Sequence, residues 1–295
     1  MWTGVTQRFS QFNKNITLTD NQIQDGSTKH HGVRNCLNSH YYNLSNGTSN
    51  SMLVGSWSKL TRVRPPRDID VLFILPSSVY ERFDKYVGNK QSAILQEVKT
   101  VLKKTYPDTE MKGDGQVIIV KFSTMNVEVV PAFKLQNGQY WICNTNNGGS
   151  YQKTDPVAEI NTISIASSDS NNNLRPIIRM LKTWQDYCNV PLKSFYIELI
   201  VIDFLRQSEW AKNSYFYYDW IMRDFFKYLK TRDNGYLVVP GTNEVLYLGS
   251  NWKSRCESAY NIALKACEYE HDDYLNLAGI EWQKIFGLNI PQNPL

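Results

Sequence analysis

The stretch DIDVLFIL (residues 68–75) reads as a strand, a β-branched and aromatic run headed by two aspartates. Two more runs of this character, QVIIVKF (116–122) and NVEVVPAF (126–133), follow it, bounded by Gly, Pro or Asp. Between the first and second lies SAILQEVKTVLKKTYP (92–107), where Ile94, Leu95, Val98, Val101 and Leu102 make a helical stripe that Pro107 ends. A strand–helix–strand–strand series of this kind predicts an α+β (mixed α/β) fold around a sheet of mixed strand direction.

Upstream, residues 19–42 read as a helix. Thr19 and Gln22 form a capping-box pattern, and Ile23, Val33, Leu37 and Tyr41 fall near helical spacing. Gly26 and Gly32 weaken helix propensity, which leaves a bent or two-part helix as the alternative there. NLSNGTSNS (43–51) and NTNNGGS (144–150) read as exposed loops. Beyond Ser167 the strand signal fades. Leu174, Ile177, Ile178, Leu181 and Trp184 share one helical face, SFYIELIVIDFLRQ (194–207) is apolar nearly all round, and three further helical segments run to Gly287. The expected division is residues 1–165, a sheet-bearing core with its N-terminal helix, and residues 166–295, an α-helical lobe, with a cleft between them.

The composition suits this reading. The chain has 295 residues, 42% hydrophobic and 20% charged, which excludes collagen-like, disordered and coiled-coil classes. Its 32 Lys and Arg against 28 Asp and Glu give a formal charge of +4, far from the excess of a duplex-binding domain. Cys36, Cys143, Cys188, Cys256 and Cys267 are dispersed with no C-x-x-C spacing, as expected of reduced thiols in the cytoplasm. The N-terminal residues lack a signal-peptide layout, and FYIELIVIDFL (195–205), broken by Glu198 and Asp203, is too short to span a bilayer.

The acidic residues carry the chemistry. Asp68 and Asp70 stand two apart on a strand and so face the same way, roughly 6–7 Å apart. Two anions at the head of a buried strand repel unless solvent or a cation compensates them. A solvated strand end is the plain alternative. Glu128, set among β-branched residues, is costly there without a partner: its strand either neighbours the first and brings a third carboxylate to the pair, or is an edge strand whose polar face holds Glu128. Together the three suit a hard divalent cation. Gly55-Ser56, a dozen residues upstream of the pair, can cradle phosphate through backbone N–H groups and a hydroxyl. Arg175, Arg179 and Lys182 recur as a basic stripe, either a solvated face or a phosphate contact. Ser194 sits where an N-cap belongs, an ordinary cap or an anion site, and Phe195 beside it is a core residue or a stacking surface.

Read together, VGSWSKLTRVRPPRDIDVLF (54–73) resembles the signature of the polymerase-β-type nucleotidyltransferases, and more narrowly of the bacterial cGAS/DncV-like enzymes of anti-phage signalling. Gly55-Ser56, Lys59 where the family often has Arg, Thr61, Arg64-Pro65 and Asp68-x-Asp70 all fit its pattern. VEVVPAF (127–133) resembles the strand of the third carboxylate, with Glu128 where Asp is frequent, and Trp57 stands where a smaller aromatic is common. LRPIIRMLKTW (174–184) is similar to the family helix whose lysine, here Lys182, reaches the donor triphosphate. KSFYIELIV (193–201) resembles the segment whose serine, here Ser194, contacts that triphosphate beside a base-stacking aromatic, here Phe195.

The resemblance implies a polymerase-β-like core with an active site in the cleft. Two Mg²⁺ (or Mn²⁺) ions on Asp68, Asp70 and Glu128 would bind NTP substrates: ATP, with GTP or a pyrimidine NTP as a second choice. Gly55, Ser56, Lys59, Lys182 and Ser194 would hold the nucleotide. The product would be a cyclic di- or trinucleotide second messenger, released with pyrophosphate in the cytoplasm, with no membrane or stable duplex nucleic acid involved and with room for an activator. The alternatives are transfer to an RNA end, a protein or a small molecule, and a nucleotide-binding regulator without turnover.

Overall fold

Helix α1 (Thr3–Ile16) begins the described part of the chain, which in this computed structural model covers residues 3–45 and 47–294. There follow α2 (Asp20–Tyr42), β1 (Ser51–Leu53), α3 (Gly55–Lys59), β2 (Asp68–Ile74), α4 (Ser77–Asp84), α5 (Lys90–Thr105), β3 (Met111–Asp114), β4 (Val117–Lys121), β5 (Asn126–Lys134), β6 (Tyr140–Asn144), β7 (Ser150–Thr154) and α6 (Pro156–Asp169). The rest is helical but for one hairpin: α7 (Leu174–Tyr187), α8 (Ser194–Gln207), α9 (Tyr218–Lys230), β8 (Tyr236–Val238), β9 (Val245–Tyr247), α10 (Lys253–His271) and α11 (Leu275–Phe286). Among the described residues no helix is long and apolar enough to cross a membrane.

The chain divides into two units. Residues 18–60 and 66–160 form a sheet unit, and residues 1–17, 61–65 and 161–295 a helical unit. This differs from the boundary at 165 read from the sequence. Residues 1–17 and 61–65 group with the helices, and the division falls inside α6. The reason lies in α1, to which the sequence reading gave no element: Val5, Phe9, Phe12 and Ile16 are all fully buried in the helical unit's core. Their spacing of four, three and four residues is one helical face, diluted by the polar residues between them.

In the sheet unit the strand order is β1-β2-β5-β4-β3, with β6 and β7 continuing from β5. β2 and β5 run parallel and the other pairs antiparallel, so the sheet is mixed as its sequence predicts. Alternation sorts the side chains. Ile69, Val71 and Phe73 of β2 and Val127 and Val129 of β5 are fully buried in the core shared with α2 and α5. All five stripe residues of α5, Ile94, Leu95, Val98, Val101 and Leu102, join them. Burying each such side chain contributes about 1.5–3 kcal/mol. The other face carries a smaller cluster of Leu72, Ala132 and Tyr140.

Helix α2 runs unbroken through Gly26 and Gly32, as one helix and not two. Its Thr19–Gln22 capping box is present in both directions. Gly26 is there for packing: a Cβ on it would lie 2.2 Å from a ring carbon of Trp57. Gly26→Ala therefore separates two effects. Helix propensity alone favours Ala by about 1 kcal/mol. The collision with Trp57, an indole only 5% exposed, costs about 1–3 kcal/mol as overpacking. The expected result in denaturant unfolding is a net loss of stability, and a stabilised variant would refute this account.

In the helical unit the predicted face of α7 (Leu174, Ile177, Ile178, Leu181 and Trp184) is completely buried. Phe9 meets Trp282 edge-on at 5.2 Å between ring centroids, and Phe12 meets Phe286 at 4.9 Å, which joins α1 to α11.

Candidate active site

The acidic residues are placed by strand pairing. β2 and β5 pair in parallel with Asp68 opposite Asn126 and Asp70 opposite Glu128. Asp68 and Asp70 lie on the same face of β2, and Glu128, level with Asp70, projects from that face of β5. Ile69, Val127 and Val129 take the buried face instead. The three carboxylates are thus held on one side of the sheet by a hydrophobic pattern whose other side makes the core.

The electrostatics follow. Glu128 is half-buried, and burial first, then the charges of Asp68 and Asp114, hold its carboxyl above the usual glutamate range. Among the described residues, no group of three His, Cys, Asp or Glu side chains stands close enough to hold a metal ion. The strand register sets the three residues side by side on one face of the sheet. The donor set itself suits a divalent cation: hard carboxylate oxygens from two adjacent strands, where added positive charge would relieve the strain on Glu128.

The turn from β1 into α3 lies against this acidic face. The Val54 N–H donates to the Asp70 carbonyl at 3.0 Å, and the Trp57 indole N–H donates to the Asp68 carbonyl at 2.8 Å. These bonds fix the turn to both aspartates through their backbones. Gly55 has φ +57°, and a Cβ on it would fall 2.0 Å from Asp70 Oδ2. Only a glycine lets this backbone approach the carboxylate so closely. Ser56, half-exposed, is the next residue of the turn. Trp57 is a structural tie between α2, α3 and the head of β2.

Lys59 is the last residue of α3. Its side chain is 4% exposed and its ammonium sits 2.6 Å from Glu159 in a buried ion pair. The sequence reading missed Glu159, for nothing in local spacing relates it to Lys59.

The remaining candidates lie in the helical unit. Lys182 Nζ donates to Glu198 Oε1 at 2.6 Å and to the Thr61 hydroxyl at 3.1 Å. Ser194 is the first helical residue of α8, and Lys193, not Ser194, is the N-cap. The Ser194 hydroxyl therefore turns away from its own helix end and donates to Gln185 Oε1 at 2.7 Å. Phe195 is half-buried against the helical core. Of the basic stripe, Arg175 donates to the Ser167 hydroxyl at 2.9 Å and Arg179 to Asn13 Oδ1 at 2.9 Å. Glu198 was visible in the sequence only as a break in an apolar run.

Known proteins agree with this architecture. A probable cyclic nucleotide synthase of Bacillus cereus is 23% identical over 280 residues, 81% of each chain. The Escherichia coli CdnC, solved in a CdnC:HORMA-deltaN complex, superposes with a TM-score of 0.69 at 18% identity, covering 97% of this chain and 98% of that one. Vibrio cholerae DncV cyclic AMP-GMP synthase, solved with the linear intermediate pppA(3′,5′)pG, gives a TM-score of 0.74 at 12% identity over 97% and 96% of the two chains. Both structures share the mixed nucleotidyltransferase fold described above. Residues 4–166, more than half of the chain, match the Second Messenger Oligonucleotide or Dinucleotide Synthetase domain, and the protein belongs to that family of nucleotidyltransferases.

Proposed function

We propose that the protein joins NTPs into a cyclic di- or trinucleotide second messenger through the acidic face of β2 and β5, as part of anti-phage defence. The observation that carries this reading is the register that sets Glu128 beside Asp70 and Asp68, with the Gly55 turn against Asp70. Nothing among the relatives favours the other acceptors considered, an RNA end, a protein or a small molecule.

In each step a ribose hydroxyl of one nucleotide attacks the α-phosphorus of another. The new P–O bond forms as the bond to pyrophosphate breaks, and the hydroxyl proton leaves to solvent. Repeating the transfer within the linear product closes the ring. Asp68, Asp70 and Glu128 would hold two Mg²⁺ or Mn²⁺ ions. Bound there, such ions supply charge neutralisation at the phosphates and lower the pKa of the attacking hydroxyl. The backbone N–H groups of the Gly55-Ser56 turn and the Ser56 hydroxyl orient phosphate oxygens, so the protein's own part is chiefly positioning. Lys182 and Ser194 are further phosphate ligands, and Phe195 offers a ring for a base. Lys59, paired with Glu159, is left out of the proposed nucleotide contacts.

ATP and GTP are the proposed substrates, by analogy with DncV, a cyclic AMP-GMP synthase. The CdnC:HORMA-deltaN complex makes an activating protein compatible with the same reading. The proposed setting is the cytoplasm, where NTPs are available.

The direct test is incubation of the purified protein with the four NTPs and Mg²⁺ or Mn²⁺, followed by mass spectrometry. The expected result is released pyrophosphate and a phosphatase-resistant nucleotide of cyclic mass. If no NTP is consumed with either metal, even with extract of phage-infected cells, the proposal fails.

A further inference from the structure

The two phosphate ligands read from the helical unit are set in one seam between α7 and α8. Lys182 and Gln185 are three residues apart on α7, and Ser194 and Glu198 four apart on α8, so each pair shares a helix face. Two rungs cross the seam, Lys182 to Glu198 and Ser194 to Gln185. Gln185 is itself fixed, since its amide donates to the Leu192 carbonyl.

The first rung is unusual. Glu198 is 3% exposed, between buried Ile197 and Leu199. Its Oε1 alone accepts two hydrogen bonds, from Lys182 Nζ at 2.6 Å and from the Thr61 hydroxyl at 2.7 Å. Lys182 Nζ also donates to that hydroxyl at 3.1 Å, so the three polar groups close a triangle. Thr61 belongs to the 61–65 segment that packs with the helices. A buried ion pair adds little net stability over apolar residues of similar volume. Its effect here is geometric: a flexible lysine stem is held by bonds to Glu198 and the Thr61 hydroxyl, and its third N–H makes only a longer bond, to the Thr61 carbonyl at 3.4 Å, which a stronger acceptor can replace.

We propose that Glu198 is a positioning residue for nucleotide binding, holding the Lys182 ammonium against Thr61 so that the N–H on the Thr61 carbonyl turns to a phosphate oxygen. This rests on the reading of Lys182 as a triphosphate ligand. Glu198 itself touches no nucleotide and acts through Lys182.

A double-mutant cycle on the full chain tests it, with MgATP affinity read by calorimetry and adenosine affinity as the control. Glu198→Gln keeps the shape and is expected to weaken MgATP about tenfold, the scale of coupling within one charged network, with adenosine unchanged. Lys182→Met should weaken MgATP as much or more, and Lys182→Met/Glu198→Gln should be no weaker than Lys182→Met alone. Thr61→Val, which removes one leg of the triangle, should give a smaller loss that also vanishes in the Lys182→Met background. Additive losses, or an equal loss of adenosine, would mean that Glu198 merely supports the fold and would overturn the proposal. If Lys182→Met binds MgATP like the parent, the phosphate reading of Lys182 falls by itself, and the positioning role falls with it.

Discussion

Asp70→Asn is expected to release pyrophosphate from NTPs at least about 10³-fold more slowly than the parent, and Asp68→Asn to behave alike. Both substitutions keep side-chain size and strand pairing and remove one negative oxygen from the acidic face. Losing a cation ligand forfeits several kcal/mol of charge stabilisation, and each 1.36 kcal/mol is tenfold in rate. Glu128→Gln shares this loss and carries a second signature of opposite sign. The folded pKa of Glu128 lies above its ordinary value because of burial and the nearby charges of Asp68 and Asp114. Its ionised form is thus less favourable in the native protein than in the unfolded chain. That penalty is present at neutral pH and fades as pH falls through the folded pKa into the glutamate range. Glu128→Gln should therefore unfold at a higher temperature than the parent at neutral pH, and the difference should shrink on acidification. A Glu128→Gln protein that is active, or less stable at neutral pH, would contradict this picture of an acidic face that costs stability and carries the chemistry.

Gly55→Ala is the second large effect. The Cβ it adds would sit 2.0 Å from Asp70 Oδ2 and 2.8 Å from its Cγ, so either the carboxylate or the turn must move. The backbone at φ +57° adds strain, about 1–2 kcal/mol for an L side chain in the left-handed region. Displacing a positioned group by about 1 Å can cost on the order of 10²-fold in rate. The expected outcome is a protein that still folds, with a modest drop in melting temperature, and turns over NTPs about 10²-fold more slowly or worse. Turnover within threefold of the parent would show that the contact between Gly55 and Asp70 does not matter to the reaction.

Much of the site was legible in order but not in arrangement. Asp68, Asp70 and Glu128 were visible because charge in a β-branched run is conspicuous. The glycine of the turn was visible because it stood just upstream. Lys59 shows the limit: the resemblance implied a nucleotide contact, and only the fold pairs its ammonium with Glu159. Ser194 was placed one residue too early, since an N-cap and a first helical residue look alike in sequence. Glu198 and Thr61 were noted for other reasons, and only their meeting with Lys182 gave them a role.

The sequence by itself determined the local elements. The strands β2, β4 and β5, the helices α5 and α7 with their buried faces, and the capped start of α2 all follow from contacts a few residues apart, which periodicity and capping chemistry encode directly. Tertiary structure alone decided that β2 pairs in parallel with β5 and sets Asp70 level with Glu128, that Trp57 lies on Gly26, and that α1 joins the helical unit. These depend on which distant apolar faces bury one another best. That choice is made by packing across the whole chain, and no short window of residues contains it.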